Sequence, residues 1–117
     1  MSTKLCRALL LCPWPLLAAD VSGNWKVSGT VGEYPINLTC NFKTNGANLI
    51  GTCKGGDRPD RAVTGEISGQ KVHFQYEIEY DGNKMTVVYS GTLQSDTSMK
   101  GSVDVSGTSG EFTGTKE

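Results

Sequence analysis

The sequence predicts an all-β protein: an eight-stranded antiparallel up-and-down β-barrel, preceded by a cleaved signal peptide. Three observations support this fold class. No helical stripe of apolar residues occurs after residue 20, apolar and polar residues alternate with a period of two in eight short segments, and Gly, Asn, Asp and Ser separate those segments. Short segments joined by tight turns pair with their sequence neighbours, and eight of them can close into a barrel that has no free edge. An open sandwich of two sheets is the alternative.

Residues 1–19 have the organisation of a secretory signal peptide. A basic start that contains Lys4 and Arg7 is followed by an uncharged, apolar run over residues 8–17 and by small residues that end at Ala19. This order is typical of a signal peptide, and the run is too short to span a bilayer. We therefore expect cleavage after Ala19, a secreted or periplasmic location, and no membrane span once the signal is removed. A buried N-terminal helix is the alternative, but nothing later in the sequence has the helical periodicity to pack against it.

The remaining residues, 20–117, are expected to form one β-barrel domain with a net negative charge. They carry nine basic and twelve acidic side chains, a net charge of −3. They contain no run of basic residues and no basic patch interleaved with aromatic residues. This composition excludes nucleic acid and anionic membranes as expected partners.

The fifth predicted strand has the clearest alternation of all. The eight strands are predicted at residues 22–30, 35–43, 49–54, 61–67, 71–80, 84–92, 99–105 and 111–116. In the fifth, the apolar or aromatic residues that alternate with polar ones are Val72, Phe74, Tyr76, Ile78 and Tyr80. Alternation of this kind places one set in the interior and the other in water. The outer set is charged, and charged residues are depleted in interface cores, so we expect a monomer or a weak dimer.

Cys40 and Cys53 are predicted to form a disulfide between the second and third strands. An even pair of cysteines in an exported domain is typical of a disulfide. The hairpin turn around Gly46 sets the two cysteines directly opposite each other, and the same register sets Phe42 opposite Gly51. The short loop that the disulfide closes corresponds to a stabilisation of roughly 2–3 kcal/mol. A metal site is the alternative, but two thiols and one distant histidine make a poor ligand set.

Glycine recurs at inward positions of the predicted strands. These positions are Gly51, Gly65, Gly91, Gly101 and Gly114. Glycine at such positions relieves crowding and permits the sharp coiling that a small barrel needs. We interpret these residues as determinants of barrel geometry, although the missing side-chain volume also leaves room for a cavity.

The sequence favours a protein that is not an enzyme. His73, the only histidine, falls on the outward face of the fifth strand, where Glu77 and Glu79 also lie. Exposed carboxylates on a strand are usually solubilising, and no set of Ser, His and Asp or of Cys and His can be assembled with the histidine outside. No phosphate-binding loop or metal-ligand spacing is present, so we expect no cofactor.

The start of the first strand, Gly23-Asn24-Trp25, resembles the Gly-x-Trp motif of the calycin barrels, which include lipocalins, fatty-acid-binding proteins and avidins. In that superfamily a basic residue on the last strand packs across the Trp, and the resemblance assigns this role to Lys116. Avidin and streptavidin are the closer likeness, spread over most of residues 22–116. The segments that resemble theirs are 45–53, Ala62-Val63-Thr64-Gly65, Tyr89-Ser90-Gly91 and Phe112-Thr113.

The biotin site of the avidins is not retained in this sequence. Val27 stands where avidins carry an Asn, and Cys53 stands where they carry a Tyr that contacts the ligand. Trp25 is the only Trp after residue 19, so the wall tryptophans are missing as well. A buried urea group without these partners would lose several kcal/mol, and biotin is therefore not the expected ligand.

Two functions remain open at this point. The first is a binding module whose cavity holds a small apolar or aromatic ligand and is lined by Trp25, Phe74, Tyr76, Met85 and Tyr89. In the alternative to that cavity, bulky side chains fill the barrel, which is then a solid scaffold. The second function is a protein-interaction barrel that resembles the periplasmic metalloprotease inhibitors, which insert an N-terminal arm into the protease. Only Asp20 and Val21 precede the predicted barrel, which is short for such an arm.

Overall fold

A computed structural model describes residues 20–56 and 60–117, and at Tyr80 it describes the backbone only. These residues form a closed barrel of eight antiparallel strands, each paired with its neighbours in sequence and the last paired with the first. The strands are β1 (Gly23–Val31), β2 (Tyr34–Asn45), β3 (Asn48–Lys54), β4 (Arg61–Ser68), β5 (Lys71–Tyr80), β6 (Asn83–Ser95), β7 (Ser98–Val105) and β8 (Thr108–Lys116). The predicted all-β, up-and-down barrel is therefore confirmed. The predicted signal peptide, residues 1–19, lies outside the described residues.

The register between β2 and β3 is the predicted one. Cys40 pairs with Cys53, and Phe42 pairs with Gly51. The two cysteines form a disulfide, and both are buried. The disulfide and the turn around Gly46, which has a φ of +64°, thus specify the same register from different positions along the hairpin.

Two strands, β6 and β8, extend three residues beyond one of their predicted ends. β8 begins at Thr108, because the preceding turn uses only Ser106 and Gly107, and both have the positive φ that a tight two-residue hairpin turn requires. β6 continues past Thr92 to Ser95, where the pairing with β7 shifts register after Leu93. A bulge of this kind interrupts strict alternation, so the end of β6 is hard to recognise from a period of two.

The barrel closes through β1 and β8. Trp25 pairs directly with Lys116, and the backbone N–H of Glu117 donates to the carbonyl of Asn24 at 2.8 Å. Lys116 therefore occupies the position opposite the Trp that the calycin resemblance implies. The aliphatic part of its side chain lies against Gly23.

Aromatic rings fill the middle of the barrel. Phe74 stacks on Tyr89 with 4.6 Å between ring centroids and 6° between planes. Phe112 meets both of these rings edge-on, at 6.0 and 5.0 Å, and Phe42 lies 5.1 Å from Phe74. Contacts of this geometry add to the free energy gained by burying the rings. A ligand in the middle of the barrel would have to displace one of these four side chains.

Candidate functional site

The two ends of the barrel differ in how well their side chains are buried. In an up-and-down barrel the odd strands begin at one end and the even strands at the other. The end at which β1 begins is closed by buried side chains, namely Val21, Trp25, Leu49, Ile67, Leu93 and Met99. We call this end the closed end. Val21 precedes β1, and its carbonyl accepts a hydrogen bond of 2.8 Å from the indole Nε1 of Trp25.

Beside the buried Val31, the opposite end, at which β2, β4, β6 and β8 begin, carries apolar side chains that are only half-buried. They are Ile36, Leu38, Ile78, Met85 and Val105, and we call them the open-end ring. Four of them, all except Met85, pack against the core. Apolar side chains that face the interior and stay partly in water provide a concave surface on which an apolar molecule can lose its contact with water.

Tyr76 and Tyr89 lie below this ring. Tyr76 is only 7% exposed, Tyr89 is fully buried, and their hydroxyl oxygens are 2.7 Å apart in a hydrogen bond. Burial raises the pKa of the Tyr89 hydroxyl, and the neighbouring Tyr76 raises it further. The Tyr89 hydroxyl therefore stays protonated across the physiological pH range.

The structure separates the five residues predicted to line one cavity. Phe74, Tyr76 and Tyr89 form one cluster of rings in the middle of the barrel, with Tyr76 and Tyr89 centroids 5.7 Å apart. Met85 is the third residue of β6 and lies at the open end, half-buried. Trp25 is the third residue of β1 and lies at the closed end, where it is fully buried. Of the predicted set, only Tyr76 and Met85 lie at or directly beneath the open-end ring.

The pairing of β4 with β5 ends before the open end is reached. The ladder stops at Thr64 and Gln75, although β5 continues to Tyr80. A cleft of about 340 Å³ lies beyond this point, lined by Arg61, Ala62, Thr64, Gln75, Tyr76 and Glu77. Nη1 of Arg61 crosses the cleft and donates to the carbonyl of Glu77 at 3.1 Å. We call this cleft the β4–β5 seam.

The interior offers contact surface rather than acid–base chemistry. None of the buried residues in the described part of the chain is charged, and His73 is exposed on the outer face of β5. Within residues 20–56 and 60–117, no three His, Cys, Asp or Glu side chains are placed to hold a metal ion together. The arrangement can exclude water from an apolar molecule and can offer it tyrosine rings.

Sequence reasoning identified the inward face of each strand but missed where along the barrel each residue lies. Ile78 was predicted to face inward, and its position at the open end was not foreseen. Alternation reports which face a side chain is on and carries no information on depth along the barrel axis. Val21 was also missed, because it precedes the first alternating segment.

Comparisons with known proteins describe the fold only. No protein-family model and no curated protein matches the chain. Among solved structures, the chain is similar to one described as a redesigned beta barrel, with a TM-score of 0.58 and 19% sequence identity over 83% of this chain and 91% of that one. In the described ranges there is no helix of sufficient length and apolarity to cross a membrane. The chain is thus an eight-stranded antiparallel β-barrel.

Proposed function

We propose that this protein is an exported binding protein, and not an enzyme, that takes a small apolar or aromatic ligand at the open end of its barrel. One observation carries the proposal: the closed end is sealed by buried side chains, whereas the open end holds five half-buried apolar ones above Tyr76. Apolar surface that is incompletely buried at one end only is typical of a binding mouth. The Cys40–Cys53 disulfide supports export, because such bonds persist in oxidising compartments.

This proposal restricts the class of ligand further than the sequence does. Because four aromatic rings occupy the middle of the barrel, the ligand lies shallowly, against Ile78, Met85 and Tyr76. It carries no charge on the part that enters, since no charged side chain is buried in the described part of the chain to balance one. Each fully buried methylene group of the ligand contributes roughly 0.8 kcal/mol.

Titration with the uncharged dye N-phenyl-1-naphthylamine tests the proposal. We expect a saturable rise in dye fluorescence with one dye bound per protein. A Met85→Glu variant places a carboxylate in the open-end ring and should weaken binding by about tenfold or more, because the charge loses hydration when the dye binds. Ile50→Glu is the matched control, since Ile50 is 53% exposed on the outer face of β3. Equal losses in both variants would contradict a site at the open end.

Nuclear magnetic resonance locates the ligand independently of these variants. On addition of the dye we expect the backbone amide signals of Ile78 and Met85 to shift and the indole signal of Trp25 to stay in place. A shift of the Trp25 signal comparable to theirs would place the ligand deep in the barrel and overturn the proposal. Native mass spectrometry of protein purified without detergent would then identify any natural ligand that remains bound.

A further inference from the structure

The β4–β5 seam interrupts the hydrogen bonding of the barrel wall. In the described residues, no backbone pair joins β4 to β5 beyond Thr64 and Gln75, and β5 continues for five more residues. On their other sides both strands remain paired, β4 with β3 as far as Arg61 and β5 with β6 as far as Tyr80. The two strands are thus held in place by their other neighbours while a gap opens between them.

Backbone groups of β5 point into this gap. The carbonyl of Glu77 faces it, since the Arg61 guanidinium reaches that oxygen from β4. Because backbone groups alternate sides along a strand, the N–H and C=O of Glu79 point the same way. The Arg61 side chain thus supplies a hydrogen bond where a neighbouring strand would otherwise supply one. Strand edges with unpaired backbone groups are templates for the addition of another strand.

The charge beside the gap favours a basic partner. The side chains of Glu77 and Glu79 are exposed on the outer face of β5. A strand added beside β5 would place alternate side chains next to Glu77 and Glu79 on that face. Lysine or arginine at those positions forms cross-strand ion pairs, whereas acidic residues there repel.

We propose that the β4–β5 seam binds an extended, basic peptide segment of another protein, which adds a short strand along β5 and pairs its basic side chains with Glu77 and Glu79. This interaction surface adjoins the ligand site at the open end, with which it shares Tyr76, but the proposal does not depend on that site. The peptide contacts the outer wall and its backbone, whereas the small ligand contacts the inward-facing ring. The same chain can therefore bind both.

A designed peptide tests the proposal directly. The probe is a heptapeptide of alternating lysine and threonine with blocked ends, titrated into the ¹⁵N-labelled protein at low ionic strength. We expect amide signals of residues 61–64 and 75–79 to shift most. The same peptide N-methylated at alternate residues keeps its charge but loses backbone donors, and it should bind about tenfold more weakly. Equal affinity of the two peptides would show that charge alone drives binding and would overturn strand addition.

Charge variants separate the seam from the rest of the surface. Reversing both Glu77 and Glu79 to lysine should weaken binding by about tenfold, because two attractive cross-strand pairs become repulsive. Glu111→Lys, an exposed site on β8 across the barrel, is the control and should leave the affinity within about twofold, since its charge is screened at that distance. A loss in the Glu111→Lys variant that is as large would assign the binding to the overall charge and overturn the proposal.

Replacing Arg61 should strengthen peptide binding, in contrast to the glutamate variants, which should weaken it. The Arg61→Gln variant frees the Glu77 carbonyl for the added strand, and it should bind the peptide a few-fold more tightly. Lys54→Gln removes the same charge from an exposed position on β3 and should have a smaller effect. If both variants gain equally, the guanidinium does not compete for the seam, and the proposed geometry is wrong. Loss of peptide binding with dye binding retained would leave the ligand site at the open end intact.

Discussion

The indole Nε1 of Trp25 donates a hydrogen bond of 2.8 Å to the carbonyl oxygen of Val21, and both residues are buried at the closed end of the barrel. Val21 precedes the first strand, so the bond draws the start of the described chain across the end of the barrel. This arrangement also bears on the protease-inhibitor alternative. Asp20 and Val21 are fastened to the barrel rather than extended as an inserting arm.

Val21 is expected to stabilise the fold as a core residue does. Val21→Ala removes two methyl groups from a site that is 1% exposed and should lower the free energy of unfolding by about 2 kcal/mol. Urea denaturation measures this change. Val88→Ala, the same substitution at a partly exposed position on the outer face of β6, should cost less than about 1 kcal/mol. Equal costs would mean that Val21 does not seal the closed end.

The carboxylate of Asp20 should make stability depend on pH in the acid range. It accepts hydrogen bonds from the Ser22 backbone N–H at 2.8 Å and from Oγ1 of Thr44 at 2.7 Å. Hydrogen bonds from Ser22, followed by that from Thr44, lower the pKa of Asp20 from 3.8 to about 2. Because the pKa of Asp20 is lower in the folded protein than in the unfolded chain, the ionised carboxylate stabilises the fold at pH values above the unfolded pKa. This contribution is lost as the pH falls from about 4 to about 2.

Asp20→Asn provides the comparison for this pH dependence. We expect urea midpoints of the parent and the variant to differ near neutral pH and to converge by about pH 2. Other carboxylates titrate in both proteins and cancel in the difference. A difference that stays constant down to the lowest pH would show that the Asp20 charge is not the cause.

Tyr89 should make stability depend on pH in the alkaline range. Burial, reinforced by Tyr76, raises the pKa of its hydroxyl above the ordinary value of about 10. A raised pKa favours the protonated form in the folded state, so the stabilisation is fully present below about pH 10 and is lost as the pH rises further. Tyr89→Phe should therefore lose less stability than the parent between about pH 9 and 11, measured by urea midpoints. Parallel curves for the two proteins would contradict this assignment.

Gly101 is expected to tolerate no side chain. A Cβ at this position would overlap the carbonyl oxygen of Ser90 and the Cα of Gly91 on β6, and backbone atoms cannot move aside as a flexible side chain can. Gly101→Ala should therefore cost about 3 kcal/mol or more, or prevent folding. Ser102→Ala, at the exposed next position, should change stability by less than about 0.5 kcal/mol. A folded Gly101→Ala protein of parental stability would show that the strands can separate there.

Most of the wall of this barrel was predictable from sequence, and most of the site was not. Alternation and turn residues identified all eight strands, and the turn around Gly46 specified which residue faces Cys40. The depth of Met85 and Trp25 along the axis depends on where each strand begins, which no local pattern records. The end of the β4–β5 ladder is also a property of four strands together. It arises because β4 follows β3 while β5 follows β6.

The pairing of β1 with β8 has a consequence for where the ends of the chain can lie. Asn24 and Glu117 are hydrogen-bonded neighbours, so the first and last described strands meet in one continuous wall. A circular permutant in which a short glycine–serine linker joins Glu117 to Asp20, with new ends opened between Gly46 and Ala47, would keep all the strand pairs of the barrel. The fold therefore depends on the cyclic order of the strands and not on which strand comes first in the chain.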